Sequence, residues 1–422
     1  FSRLLENALH ANSEHGEKPM AANLTPVEEA IDHLLGKAPA ITKNELLPLT
    51  ESLGRVLAQD YQVPADVPPA DNSAVDGYAL RAEDYIPGQA LSVSARIPAG
   101  SAPSPLKPGS AARIFTGSEV PAGADTVIMQ ERIEVTEGGI LINTEVKANQ
   151  NIRRRGQDLA QGSLALKKGT KIRSQEMGLL ASMGVAEVAV VKKLRVAILS
   201  TGDELVDPGN PLGPGQIYNT NRFTLLGLLA EAGCDVVLCE TLRDTRSVTR
   251  ETLERAAAQA DLIITSGGVS VGEEDHVRAV LEESGELSLW RMASKPGKPL
   301  AFGSIKGTPV LGLPGNPAAV LVTFLIVGMP YIRTCQGQLQ IHPVGQRVPA
   351  TFTVTSPSVR REFVRARTES INGDTRVSAY PNQSSGVLSS ACWADGLAVI
   401  PEHATVAEGD LLTYYPFTEL LS

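Results

Sequence analysis

The strongest constraint on the fold is the alternation of apolar strands and helices that begins at Arg195. Residues 195–200 (RVAILS) are typical of a buried strand. Three similar strands follow, at 236–240, 261–265 and 309–313. Helices are predicted over 222–232, 246–260, 276–284 and 316–332. Because strands and helices that alternate in this way form a parallel sheet covered on both faces, we predict a central parallel α/β domain over residues 193–337.

Both flanks of this domain are predicted to be rich in β structure. Between 61 and 153, short apolar runs alternate with Pro and Gly turns, which predicts a β-rich insertion domain. After residue 337 the strand patterns continue and no helix pattern is visible, which predicts a small C-terminal β domain over 338–422.

The remaining sequence carries a few helix patterns and an N-terminal tail. A capping box of Thr25 and Glu28 predicts the start of one helix. Two further helices are predicted, at 53–58 and 175–183. We interpret residues 1–21 as a tail, an upstream extension or a remnant of an expression vector. His10 and His15 are therefore left out of every candidate site.

Composition argues against several classes of protein. The formal net charge is −9, whereas a duplex nucleic-acid binder usually has a basic domain. The longest strongly apolar run, 320–329, is about half the length that a bilayer requires, and the N-terminal residues lack a signal-peptide pattern. The four cysteines lack the spacing of a zinc or redox motif. We expect free thiols and a cytoplasmic protein that binds neither nucleic acid nor membrane.

Three loops at the carboxyl ends of predicted strands are the candidate ligand site, because open α/β sheets bind ligands there. The first, 200–205 (STGDEL), begins with Ser200, Thr201 and Gly202, whose amides could face an anion. Glu204 follows, and its carboxylate suits a divalent cation. A tight turn with an acidic helix cap remains an equal alternative.

The second loop, 266–275 (SGGVSVGEED), is rich in small residues that let the backbone approach a phosphate. The candidate phosphate-binding residues are Ser266, Gly267, Gly268, Ser270 and Gly272. Three carboxylates end the loop, the last of them Asp275. Because carboxylates repel a phosphate unless a cation bridges them, this loop predicts a Mg²⁺ site.

The third loop, 295–299 (KPGKP), holds Lys295 and Lys298 between two prolines. A stiff loop with two ammonium groups favours an oxyanion ligand, since little ordering is needed on binding. The segment 313–317 (LPGNP) could add amides to the same pocket or be only a helix start. Two polar segments elsewhere, 71–79 and 151–158, are weak indications when taken alone.

Together these segments resemble the molybdopterin molybdotransferase family, the MoeA and gephyrin E-domain group. Six strings carry the resemblance in family order: NSAVDGYA (72–79), NIRRRGQD (151–158), STGDEL (200–205), SGGVSVGEED (266–275), KPGKP (295–299) and LPGNP (313–317). The string SSGVLSS (384–390) resembles the last domain of the family. One departure is His276, which stands where the family often has an aromatic residue.

The resemblance implies an elongated homodimer with four subdomains, in which residues 22–60 and 154–192 form one discontinuous domain. It implies an enzyme that hydrolyses adenylylated molybdopterin and inserts molybdate into the dithiolene, with Mg²⁺ or a similar divalent cation. An upstream molybdopterin adenylyltransferase is the implied partner.

The residues that match the functional positions of the family are Asp76, Asp158, Glu204, Asp275, Lys295, Lys298 and Pro317. Arg365 and Ser389 are predicted molybdate contacts from the last domain. A metal held by Asp275 and Glu204 would neutralise a phosphoanhydride and orient the attacking water. The two lysines would stabilise the developing charge or hold molybdate.

Two other functions remain alternatives. One is an adenylyltransferase, or another nucleotide-processing enzyme, on the same α/β domain; the strings at 72–79 and 151–158 argue against it because such a domain does not need them. The other is a non-catalytic dimeric scaffold, and retention of the acidic and lysine positions argues against that.

Overall fold

The structure is a computed structural model that describes residues 24–243, 245–269, 276–284 and 287–422. Three predicted site residues, Ser270, Gly272 and Asp275, lie outside the described residues. Contacts divide the described part of the chain into two compact units, residues 24–44 with 191–422 and residues 45–190. The finer division into domains that the sequence suggests stays a prediction.

The first described helix, α1 (Val27–Gly36), buries its apolar face against the core of its unit. The predicted capping box is wrong, because Pro26 occupies the N-cap position and makes no side-chain cap. Thr25 instead donates its backbone N–H to the carbonyl of Arg291 at 2.9 Å. Glu28 forms an ion pair with Arg361. The Thr25 N–H and the Glu28 carboxylate, which a capping box would pair with each other, are therefore paired with distant residues instead.

The unit 45–190 consists of short strands, one α-helix and three 3-10 turns, Leu49–Glu51, Ala82–Asp84 and Gln130–Arg132. The strands are β1 (Asn44–Pro48), β2 (Tyr61–Gln62), β3 (Asn72–Ser73), β4 (Gly77–Leu80), β5 (Ser92–Ile97), β6 (Ser110–Ile114), β7 (Thr126–Met129), β8 (Ile133–Thr136), β9 (Gly139–Ile142), β10 (Ile152–Arg153), β11 (Leu164–Leu166) and β12 (Glu187–Val191). The helix is α2 (Ser174–Ser182). Strands β5, β6, β4 and β7 form a four-stranded sheet in that order.

Two of the family strings are neighbours within this unit. Strand β10 pairs antiparallel with β3, so that Ile152 lies opposite Ser73. The predicted helix at 53–58 is wrong. Val56 and Leu57 form isolated β-bridges to Lys171 and Val190 and are almost fully buried. Burial of consecutive apolar residues between these partners overrides their helical pattern.

The other unit contains the central α/β sheet. Its strands up to residue 313 are β13 (Arg195–Thr201), β14 (Leu205–Val206), β15 (Ile217–Tyr218), β16 (Asp235–Leu242), β17 (Leu262–Ser266), β18 (Leu287–Arg291), β19 (Ser294–Lys295), β20 (Pro299–Ile305) and β21 (Thr308–Leu313). The helices are α3 (Thr220–Glu231), α4 (Arg246–Gln259), α5 (His276–Ser284), α6 (Pro317–Thr323) and α7 (Met329–Cys335). A π-helical turn, Phe324–Gly328, joins the last two helices.

The six-stranded sheet has the order β16-β13-β17-β21-β20-β18. The first four strands are parallel, as predicted, and β20 and β18 add an antiparallel edge. A two-residue turn at Lys306 and Gly307 joins β20 to β21, and both residues have positive φ, 50° and 81°. Such a turn matches the twist of a hairpin and makes these strands antiparallel. The α/β class is therefore confirmed, with a mixed edge that the sequence pattern did not predict.

The continuous helical segment Pro317–Cys335 is the one helix, among the residues described, that is long and apolar enough to cross a bilayer. It is also largely enclosed, since 89% of its apolar window is buried inside the protein. Tyr331 packs edge-on against Phe302 of the sheet, with ring centroids 5.7 Å apart. This is the burial expected of a core helix.

The last part of the chain is a second six-stranded sheet. Its strands are β22 (Gln346–Pro349), β23 (Arg361–Ile371), β24 (Asp374–Ala379), β25 (Gly396–Ile400) and β26 (Leu411–Pro416) together with β19. Two helices that the sequence did not predict are α8 (Ser389–Trp393) and α9 (Phe417–Leu421). Each has five residues, which is too short for a helical periodicity to be visible.

Candidate functional site

A cleft of about 920 Å³ opens at the carboxyl ends of β13, β17 and β21. Its volume suits a small-molecule ligand. The described residues that line it come from the segments 201–205, 217–221, 266–268, 295–299, 314–319, 360 and 383–385. All three predicted loops and the segment 313–317 therefore contribute to one cleft.

The first loop brings Thr201, Gly202 and Glu204 into this cleft. Glu204 is exposed, and its carboxylate folds back over Gly202, where a Cβ would lie 2.5 Å from Oε2. Ser200 does not line the cleft. It is fully buried, and its Oγ lies 3.4 Å from the side chains of Asn219 and Ser266. Ser200 therefore supports the floor of the cleft.

The second loop shows why glycine is required after Ser266. Gly267 and Gly268 have φ of +83° and +67°, which favours residues without a side chain. A Cβ on either residue would lie within 3.0 Å of the Thr201 Oγ1. Both positions therefore require glycine, and both residues line the cleft.

The third loop is fixed on both sides. Ser294 is buried and donates its hydroxyl to the carbonyl of Gly297. The carbonyl of Lys298 accepts a hydrogen bond from the N–H of Met292 at 3.0 Å. Lys295 Nζ forms an ion pair with Glu362 Oε1 at 3.0 Å. Lys295 and Lys298 both line the cleft.

The N-terminus of α3 is a part of the site that the sequence patterns did not predict. Asn219 caps this helix, because its Oδ1 accepts a hydrogen bond from the N–H of Arg222 at 3.1 Å. Thr220 and Asn221 follow it into the cleft. The Asn221 amide donates to the carbonyl of Gly315 at 2.7 Å. The Asn-Thr-Asn run before Arg222 was the available signal, since asparagine is a frequent N-cap.

The loops that flank strands β23 and β24 supply another wall of the cleft, from Arg360, Gln383, Ser384 and Ser385. Arg365 and Ser389 are absent from the described lining. Arg365 is 1% exposed and donates to the carbonyl of Ser384 at 3.1 Å. Burial lowers the pKa of Arg365 to about 10, so it remains cationic at neutral pH. Arg365 thus supports the wall from behind, and Ser389 begins helix α8.

Asp76 and Asp158 belong to the unit 45–190. Asp76 Oδ1 accepts hydrogen bonds from the N–H and the Oγ1 of Thr116, both at 2.8 Å. These bonds hold the pKa of Asp76 below its usual value and keep it ionised. No sequence pattern predicts the part of Thr116, because its hydrogen bond joins residues that are 40 positions apart. Asp158 is exposed.

Comparison with known proteins identifies the family. The model of the MoeA N-terminal region (domain I and II) matches residues 25–184, and that of a probable molybdopterin binding domain matches 197–334. The model of the MoeA C-terminal region (domain IV) matches 347–417. The chain belongs to the MoeA family of molybdopterin molybdenumtransferases. The matches outside the α/β domain weigh against a nucleotide-processing enzyme built on that domain alone.

Individual members of the MoeA family match along almost their whole length. A molybdopterin molybdenumtransferase from Haemophilus influenzae is 41% identical over 401 residues, which are 94% of this chain and 99% of that protein. One from Nostoc is 36% identical over 92% of this chain and 93% of that protein. The crystal structure of a moeA protein of molybdopterin biosynthesis from Pyrococcus horikoshii OT3 is 31% identical, with a TM-score of 0.80. It covers 93% of this chain and 100% of that one. Enzyme class and fold are thus those of the family.

The metal site that the family resemblance implies is only partly described. Glu204 is a carboxylate in the cleft, and its predicted partner Asp275 lies outside the described residues. Within residues 24–269, 276–284 and 287–422, apart from 244, no three His, Cys, Asp or Glu side chains form a metal-binding group. A single exposed carboxylate suits a cation that keeps several waters, as Mg²⁺ does.

Proposed function

We propose that this protein hydrolyses adenylylated molybdopterin and inserts molybdate into the dithiolene, with Mg²⁺ or a similar divalent cation. The observation that carries the proposal is the charge of the cleft. Its described lining contains three cations, Lys295, Lys298 and Arg360, and one carboxylate, Glu204. Because phosphate and molybdate are both oxyanions, a cleft of this charge suits both substrates.

The residues of the site, with Asp275 added from the sequence, have separate parts in this proposal. The backbone at Gly267 and Gly268 would approach the phosphate of the pterin substrate, together with the positive N-terminal end of α3. The lysines of the third loop would stabilise charge that develops on oxygen. Glu204 and Asp275 would hold the cation, which when bound supplies Lewis acidity to a phosphoanhydride oxygen.

We also propose a homodimer that shares its active sites, so that Asp76 of one chain completes the site that contains Asp275 of the other. A two-fold contact can place one domain against a different domain of its mate. The partner that supplies the substrate would be a molybdopterin adenylyltransferase. We place the protein in the cytoplasm, since its four cysteines are all free thiols.

The experiment that tests the function is incubation with adenylylated molybdopterin, Mg²⁺ and molybdate. We expect release of AMP and formation of a cofactor that activates a cofactor-free molybdenum enzyme. Removal of divalent cations with EDTA should stop both. A scaffold would show no metal-dependent turnover. An adenylyltransferase would attach the nucleotide to free molybdopterin in the presence of ATP, and either result would contradict the proposal.

Lys298→Ala should weaken the use of molybdate more than the binding of the pterin substrate. The loop around Lys298 is held rigid, and a Cβ at Gly297 would collide with Thr323, so the ammonium group meets an oxyanion at little ordering cost. Loss of one hydrogen bond to a charged group should raise the half-saturating molybdate concentration roughly ten- to hundredfold. Titration of molybdate measures this.

Two variants make the lysine titration specific. Lys193→Ala is the matched control, because Lys193 is an exposed lysine outside the described lining of the cleft, and it should leave the titration unchanged. Lys295→Ala tests whether Lys295, the other lysine of the loop, is the residue that contacts molybdate. An unchanged half-saturation point in Lys298→Ala, with a raised one in Lys295→Ala, would transfer the assignment to Lys295.

A further inference from the structure

We propose that Arg360 binds a tetrahedral oxyanion in the cleft, either molybdate or the phosphate of the substrate. The inference rests on the proposed function and adds a residue that the sequence strings do not include. Arg360 is half-buried, lines the cleft, and directly precedes strand β23 of the C-terminal sheet.

Backbone pairing fixes Arg360 relative to the two lysines. Strand β23 runs parallel to β19, with Arg361 opposite Ser294 and Glu362 opposite Lys295. The N–H of Arg361 donates to the carbonyl of Ala293 at 2.8 Å. The third loop and the start of β23 are therefore parts of one sheet. An anion between them would meet positive groups whose spacing is already set, which lowers the ordering cost of binding.

The charges around Arg360 distinguish it from its neighbours. Lys295 is paired with Glu362, and Arg361 is paired with Glu28 and Glu402. Arg360 has no carboxylate partner among the residues that the structure describes. Its Nη1 donates to the carbonyl of Ser294 at 3.4 Å, a long bond to a neutral acceptor. A half-buried cation without a counter-charge is costly, and a bound anion would offset that cost.

The chemistry of the side chain specifies the class of ligand. A guanidinium presents five N–H donors in a planar fork, and one of those of Arg360 is engaged with Ser294. The free edge can donate two parallel hydrogen bonds to one tetrahedral oxyanion. A lysine at this position would keep the charge and lose the fork. The lysines of the third loop and the guanidinium thus contribute different contacts to the same ligand.

The test measures binding directly, without turnover. Wild type, Arg360→Gln and Arg360→Lys are dialysed to equilibrium against molybdate, and separately against AMP as a phosphate monoester, at about 0.15 M salt. Arg367→Gln is the matched control, because Arg367 lies on the strand that Arg360 precedes, is exposed, stacks on Trp393 and is absent from the described lining. It changes the net charge by the same amount.

We expect Arg360→Gln to bind at least one of the two probes roughly ten- to hundredfold more weakly. Arg360→Lys should fall between this variant and wild type, and Arg367→Gln should match wild type. A loss confined to molybdate identifies molybdate as the ligand, and a loss confined to AMP identifies the phosphate.

The proposal is overturned if folded Arg360→Gln and Arg360→Lys both bind both probes as wild type does. Far-UV circular dichroism and thermal melting establish that they are folded. If Arg360→Gln does not fold, Arg360→Lys decides, since weaker binding supports the fork and unchanged binding contradicts it. A wild-type protein that binds oxyanions through Arg360 but produces neither AMP nor cofactor would contradict the proposed function alone.

Discussion

A mixture of Asp76→Ala and Asp275→Ala chains should recover about a quarter of the active sites of the wild-type protein. Each variant alone should be nearly inactive, with a rate lowered roughly a hundredfold or more, which is the scale of losing one catalytic group. Asp275 is a proposed ligand of the cation, and Asp76 is proposed to complete the same site. Recovery is expected because in a shared-site dimer one site of a mixed pair collects both defects and the other collects none.

The size of the recovery follows from symmetry. Random reassembly of equal amounts makes about half of the dimers mixed, and each mixed dimer has one intact site of two. The carboxylate of Asp76 is already held in one orientation for a role in a shared site, because it accepts two hydrogen bonds from Thr116. The part of Asp275 in this prediction rests on the sequence alone.

The measurement is the rate of AMP release after proven subunit exchange. Each variant mixed with itself under the same conditions is the control, and it should remain inactive. If the mixture of the two variants also remains inactive, the shared site is wrong. Both carboxylates then act within one chain, or one of them has no part in the reaction.

Arg333→Leu should lower the free energy of unfolding by about 2–4 kcal/mol, because each buried carbonyl that is left without a donor costs about 1–3 kcal/mol. Arg333 is 1% exposed and lies on α7 in the core. Its Nη1 donates to the carbonyl of Ile341 at 3.0 Å, and its Nη2 donates to that of Leu420 at 2.8 Å. Leucine fills part of the volume but leaves these carbonyl groups without a donor.

Urea unfolding followed by circular dichroism measures this loss, and thermal melting of the same samples checks it. Arg347→Leu is the control, since Arg347 is an exposed arginine of the same unit that also donates to a carbonyl, that of Leu411. The control should change the free energy of unfolding by less than about 1 kcal/mol. If the two variants lost equal free energy of unfolding, the buried hydrogen bonds of Arg333 would stabilise the protein no more than the exposed ones of Arg347.

The sequence predicted the parts of this protein that depend on local patterns. The strands β13, β16, β17 and β21 are visible as apolar runs, because a parallel strand buried on both faces has few polar residues. The glycines at 267 and 268 mark their loop in the sequence, because Thr201 packs so close to their backbone that no side chain fits there. The pattern at 53–58 failed for the converse reason, since pairing with Lys171 and Val190 decides its conformation.

The sequence also indicated which loops carry chemistry, since the rule that ligands bind at the carboxyl ends of parallel strands needs only the order of the elements. It could not indicate what completes the cleft. Arg360, Asn221 and Ser384 lie far apart in the chain and meet only when the C-terminal sheet and helix α3 are assembled around the loops.

Burial and pairing likewise required the tertiary structure. Arg365 and Arg360 are both arginines near the start of β23, yet the first is enclosed behind the wall and the second lines the cleft. Successive side chains along a strand point to opposite faces of the sheet, and the face that can meet a ligand is the one that no other element covers. The sequence by itself determined the hydrophobic periodicity of the strands and helices and the positions that only glycine can occupy, because both follow from local backbone geometry. Only the tertiary structure decided which groups surround each charged side chain, because those groups come from distant segments of the chain.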